Sequence, residues 1–120
     1  MSKNILIIPG ELPDLNTTVK KSKSHWSKYS DEKRAWTVGI ALIAKRLPKM
    51  QRVSLKFMWY MKNKKKDPDN FVFAKKHIID GLVKAGVIPN DGWNEIASFS
   101  DNWAVDKKNP RVEVEIEQVE

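Results

Sequence analysis

The dipeptide Asp67-Pro68 sets the tightest constraint on how this chain can fold. Proline has a fixed φ and no N–H, so it suits the first helical position, and the aspartate before it is a good N-cap. Upstream, residues 52–60 (RVSLKFMWY) alternate as a strand does, with Val53, Leu55, Phe57 and Trp59 on one face. Downstream, Ile78, Leu82 and Ala85 recur on one helical stripe flanked by Ile79 and Val83, and Gly86 is the expected stop, which gives a helix from Asp67 to about Ala85. A strand must therefore give way to a helix within a short connection. That connection is a run of lysines, Lys62, Lys64, Lys65 and Lys66.

Opposite charges crowd together here. Asp67 and Asp69 follow the lysines directly, and Asp91 lies in the turn Pro89-Asn90-Asp91-Gly92, which sends it back toward one end or the other of the helix. Carboxylates that converge on a hard divalent cation, bordered by lysines that hold a polyanion, are the parts needed for metal-assisted phosphodiester cleavage. D-P-D-N is equally how an ordinary helix begins, and a first-turn carboxylate is stabilised by the helix dipole without any metal. The two roles are compatible.

The formal charge of +7 is unevenly spread. Residues 1–66 hold 16 Lys/Arg against 4 Asp/Glu, and residues 67–120 hold 6 against 11. A basic half beside an acidic half suits a polyanion gripped by one surface and processed by another, although lysines also simply solvate a surface. Cysteine is absent, which excludes disulfides and thiolate metal sites. The apolar run before Pro9 is too short for a signal sequence or a membrane span, so the expectation is a cytoplasmic protein without a membrane partner. With 120 residues, 41% of them apolar, one domain over residues 1–120 is expected.

The rest of the chain completes an α+β pattern. Residues 4–8 (NILII) read as a short buried strand. From Pro9 to Ser30 no periodicity survives, and Lys20, Lys21 and Lys23 mix with His25, Trp26 and Tyr29, as expected of a nucleic-acid contact loop that orders on binding, the alternative being plain disorder. Ser30 reads as an N-cap of a helix to Leu47 with apolar positions at Ala35, Val38, Leu42 and Ile43. Residues 96–105 and 111–119 read as strands joined through the turn chemistry of residues 106–110, the second with Val112, Val114 and Ile116 inward and Glu113, Glu115 and Glu117 on a solvated face. The expected order is β-α-β-α-β-β, a mixed sheet packed by two helices.

KKKDPDN, the helix containing HIIDGLVKAG, and the aspartate in the short turn after it resemble the signature of the RusA family of Holliday junction resolvases. The likeness covers nearly the whole chain, including a first strand ending at a proline and Pro13 and Asn16 in LPDLN. It implies a small α/β homodimer that uses Mg²⁺, or Mn²⁺ in its place, to nick four-way DNA junctions, with the metal-site aspartates falling on Asp67, Asp69 and Asp91. Two positions depart from the family pattern. Asn90 precedes Asp91 where an aspartate pair is frequent, and Phe73 stands where a catalytic lysine is expected, four residues after Asp69. On an ideal helix Lys76 falls within about 20° of the face of Asp69 and Lys75 about 120° away, which makes Lys76 the expected catalytic lysine. Lys64, Lys65 and Lys66, with Lys20, Lys21 and Lys23, are then the expected DNA-backbone contacts. The rival expectation is a non-catalytic, structure-selective DNA-binding module in which the aspartates only cap the helix.

Overall fold

In the last strand, β4 (Arg111–Gln118), Val112, Val114 and Ile116 are buried while Glu113, Glu115 and Glu117 take the opposite face. Such a strand needs apolar cover on one side only. A computed structural model, which describes residues 3–12 and 26–120, pairs it antiparallel with β1 (Lys3–Pro9) on one side and β2 (Val53–Met61) on the other. β3 (Ile96–Val105) runs parallel to β2, giving the order β1-β4-β2-β3. The register aligns Leu6 with Val114 and Phe57 with Val114, so every strand's apolar side chains that pack in the core share one face. Helix α1 (Trp26–Ala44) and helix α3 (Lys75–Lys84) cover that face. The architecture is the α+β, β-α-β-α-β-β domain expected from the sequence.

Several local expectations change. β1 is an edge strand buried only on alternate residues: Leu6 and Ile8 are covered, whereas Ile5 and Ile7 are about half exposed on the open face. Ser30 is no N-cap, because α1 begins at Trp26; residues 13–25 of the expected contact loop, with Lys20, Lys21, Lys23 and His25, lie outside the described residues. The inward stripe of α1 is Trp36, Ile40, Ala44 and, past its end, Leu47, while Ala35, Val38, Leu42 and Ile43 face away. Two apolar stripes compete on this helix. The one carrying Ile40 meets Gly81 of α3, which has no side chain to hold the two helices apart, and it takes the core.

The helix expected from Asp67 to about Ala85 is broken into three parts. Helix α2 (Pro68–Phe71) is a single turn, Val72–Ala74 form a 3₁₀ turn, and α3 follows. α3 ends as the sequence requires, with Gly86 at φ +78°, where an L side chain would be strained. There the Val87 N–H donates to Leu82 O at 3.0 Å and the Gly86 N–H to Val83 O at 3.0 Å, the paired closure of a Schellman cap.

The strands β3 and β4 are consecutive but not neighbours, since β2 lies between them. The turn of residues 106–110 carries the chain past the end of β2, where the Asp106 N–H donates to Met61 O at 2.8 Å. Arg111 holds the turn closed: its Nη1 donates to Asp106 Oδ2 (2.8 Å) and Asn109 O (2.9 Å), its Nε to Glu113 Oε2 (2.7 Å), and its guanidinium lies 3.9 Å from the Tyr60 ring centre. The Arg111 hydrogen bond holds the Asp106 carboxyl below its ordinary pKa. In Arg111→Met that carboxyl should titrate closer to its ordinary value, read by NMR as an upward shift of the Asp106 midpoint.

At the crossing of α1 and α3, a methyl group on Gly81 would sit 2.5 Å from Ile40 Cγ2 and 2.8 Å from its Cβ. Ile40 is 1% exposed and has nowhere to move. Alanine gains about 1 kcal/mol of helix propensity over glycine, but overpacking costs about 1–3 kcal/mol, and a contact at the branch carbon lies toward the costly end. Gly81→Ala should therefore lower stability by about 1–2 kcal/mol, measured as a reduced urea midpoint at unchanged slope.

Candidate active site

The lysine run sits between β2 and α2, folded by a residue that follows β1, two strands away in the sheet. Glu11 accepts the Lys62 N–H through Oε2 at 3.0 Å and pairs with Lys66 Nζ through Oε1 at 3.7 Å. The Lys65 N–H donates to Asn63 Oδ1 at 3.0 Å. These bonds use up backbone groups and turn Lys64 and Lys65 outward, where both are exposed. Glu11 is a site residue that sequence reasoning missed. It lies 51 residues from Lys62, and nothing in its local pattern marks it.

Asp67 stands at the N-cap of α2 with extended backbone (φ −74°, ψ 149°), and its carbonyl accepts from the N–H groups of Asn70 (3.0 Å) and Phe71 (3.3 Å). Its side chain makes no capping hydrogen bond, and both Asp67 and Asp69 are exposed. A one-turn helix also has little dipole to satisfy a carboxylate. Capping by the backbone alone leaves these two oxygen-donor groups directed at solvent.

Asp91 returns to the beginning of α3. The Gly92 N–H donates to Glu95 Oε1 (3.0 Å), and the Ile96 N–H closes on Gly92 O (3.0 Å), which fixes the turn against the start of β3. Lys76 Nζ then lies 4.0 Å from Asp91 Oδ2 and 3.4 Å from Asp80 Oδ1. The Lys76 side chain is 56% exposed, so these pairs are weakly held and its ammonium remains available to a stronger anion.

Lys75 goes the other way. Its Nζ meets Asp101 Oδ2 at 2.5 Å and lies 5.4 Å and 4.9 Å from the ring centres of Phe57 and Phe99. Trp59 Nε1 donates to the second oxygen of the same carboxylate at 2.9 Å. An unbroken helix would separate the two lysines by phase; three 3₁₀ residues overwind the path by about 60° and change that phase. Contacts separate them instead: Lys75 is fixed to the sheet edge, and Lys76 faces Asp91. Phe73, at the position expected for a lysine, packs edge-on against the buried His77 ring at 6.3 Å.

Among the described residues, no group of three His, Asp or Glu side chains stands close enough to hold a metal ion. The donor type nevertheless fits magnesium, which keeps several waters and binds through one or two carboxylates together with substrate phosphate. Asp67 and Asp69 supply such oxygens, and Asp91 stands beside Lys76. No helix among the described residues is long and apolar enough to cross a membrane.

Each phosphate neutralised on duplex DNA contributes about −0.9 to the slope of log K against log salt. With Lys66 tied to Glu11, removing Lys64 and Lys65 together by alanine substitution should flatten that slope by about two units and leave the melting temperature unchanged. Fluorescence anisotropy over a salt series measures it; an unchanged slope places the DNA elsewhere. Neither a family model nor a curated protein sequence matches this chain.

Proposed function

We propose that this chain is a magnesium-dependent endodeoxyribonuclease that resolves four-way DNA junctions by paired nicks, working as a homodimer. The observation that carries the reading is the 4.0 Å approach of Lys76 Nζ to Asp91, at the start of the helix that follows the exposed Asp67 and Asp69. Asp67, Asp69 and Asp91 are the residues that would hold Mg²⁺. When bound, the metal supplies an activated water and charge stabilisation at the phosphorus. The chain's own residues do the rest. Lys64 and Lys65 hold the DNA backbone, which fixes register without reading sequence. Lys76 leaves its weak pairs with Asp80 and Asp91 and sets a positive charge beside the scissile phosphate, where charge grows in the transition state. Two copies about a twofold axis match a junction whose arms share that symmetry.

A non-catalytic DNA-binding module is the second reading, favoured by the absence of a three-ligand group among the described residues. The two readings part over metal. With a labelled immobile four-way junction and a linear duplex, the enzyme cuts the junction in Mg²⁺ and not in EDTA, whereas the module binds equally in both and cuts in neither.

Asp69→Asn separates the readings at one residue. Asparagine starts helices nearly as well as aspartate but lacks the charge of a magnesium ligand. Single-turnover cleavage should fall by at least about a hundredfold, while junction binding in Ca²⁺ is retained or improved. Cleavage at the parent rate would return the D-P-D-N segment to helix initiation alone.

A further inference from the structure

Beside the candidate site, the lysine loop and the end of β3 enclose a groove of about 630 Å³, within the size range of small-ligand sites. Its wall carries Lys64, Lys66 and Asp67, and its floor carries Phe71, Trp103 and Val105. Phe71 is buried and packs against both Trp59 and Trp103 with ring centres 6.0 Å away, so the floor is backed by the core and does not collapse. Trp103 and Val105 remain 51% and 47% exposed at its surface. Apolar side chains of this size held open to solvent on an outer strand are a standing cost unless something covers them.

We propose that this groove binds one unpaired nucleobase, stacked on Trp103, with the flanking phosphate held by Lys64. The proposal rests on the reading of the lysine loop as a DNA-backbone contact and adds to it a preference for strands whose bases are out of the duplex. Charge and shape choose this occupant. A protein segment lying on the apolar floor would have to bury the two ammonium groups on its wall, at a desolvation cost its own apolar groups do not offset. A nucleotide brings an apolar π face for the floor and an anion for the wall in one unit. A base within an intact duplex has no free face to offer. A base at a branch point or in a single strand does, and it would arrive with its phosphate next to Asp67.

The test compares a labelled oligothymidylate of about twelve nucleotides with an abasic strand of the same length, by fluorescence anisotropy in EDTA. The intact protein should bind the oligothymidylate about tenfold or more tightly than the abasic strand. Trp103→Ala should close that gap, Trp103→Phe should keep most of it, and Val105→Glu, which sets a carboxylate on the floor, should abolish it. Circular dichroism checks that each variant folds; should Trp103→Ala not fold, the wild type, Trp103→Phe and Val105→Glu decide. Equal affinity of the wild type for the two strands, or a gap that survives in Val105→Glu, overturns the proposal. A change of sedimentation mass in Trp103→Ala with unaltered strand affinities would assign the groove to a second copy of the chain and also overturn it. Junction cleavage measured in parallel keeps the two readings apart. A base preference without cleavage upholds the groove and removes the nuclease; cleavage without a base preference does the reverse; no affinity for either strand and no cleavage removes both.

Discussion

One carboxylate ties the sheet edge to the helix that carries the site. Asp101 accepts from Trp59 on β2 and from Lys75 on α3, both at hydrogen-bonding distance, with each side chain of the ion pair about one-fifth exposed. Removing Asp101 from such a partly buried pair leaves the Lys75 charge and the Trp59 indole N–H without their partner, a loss of several kcal/mol in the worst case. The consequence for the site is directional. Because Lys75 is drawn toward β3, the next residue on the helix turns to the other side, and Lys76 faces the turn that holds Asp91.

The strands and the helix stop were open to reading because their signals are local. The alternation of Val53, Leu55, Phe57 and Trp59 needs no partner to be recognised, and those four residues are buried to within 1% exposure. Gly86 was recognisable in the same way, as the residue that tolerates a left-handed backbone. The face of α1 was not, because Val38 and Leu42 are spaced as well as Ile40 and Ala44 are. What decides between them is the contact of Ile40 with Gly81, 41 residues away, and no periodicity carries that information. The placement of β3 beside β2 instead of β4 is equally non-local, a matter of the parallel crossover through α2 and α3.

The candidate site divides along the same line. Asp67, Asp69, Asp91 and the lysines follow from residue type and order. Glu11 and Asp101 do not, since each acts through a partner that only the folded chain brings near. On an unbroken helix Lys76 would share the face of Asp69; the 3₁₀ turn at Val72–Ala74 breaks that helix, and Lys76 is still the lysine beside Asp91. Two bulky residues, Phe71 just before that turn and in the core and Phe73 within it and against His77, give the segment a reason to tighten: each ring is held by a different neighbour.

The outermost position of β3 gives Asp101 a second consequence, for behaviour at high concentration. A ten-residue outer strand carrying Phe99 and Trp103 offers a template on which another chain could add a strand. An ionised group on the same side as those rings is a deterrent to that, because a sheet extended over this edge would take the carboxylate and its lysine further out of water. The ion pair that orients the helix thus also guards against fibrillar growth from the sheet's margin, and the chain keeps exposed aromatic surface there without offering a clean apolar edge.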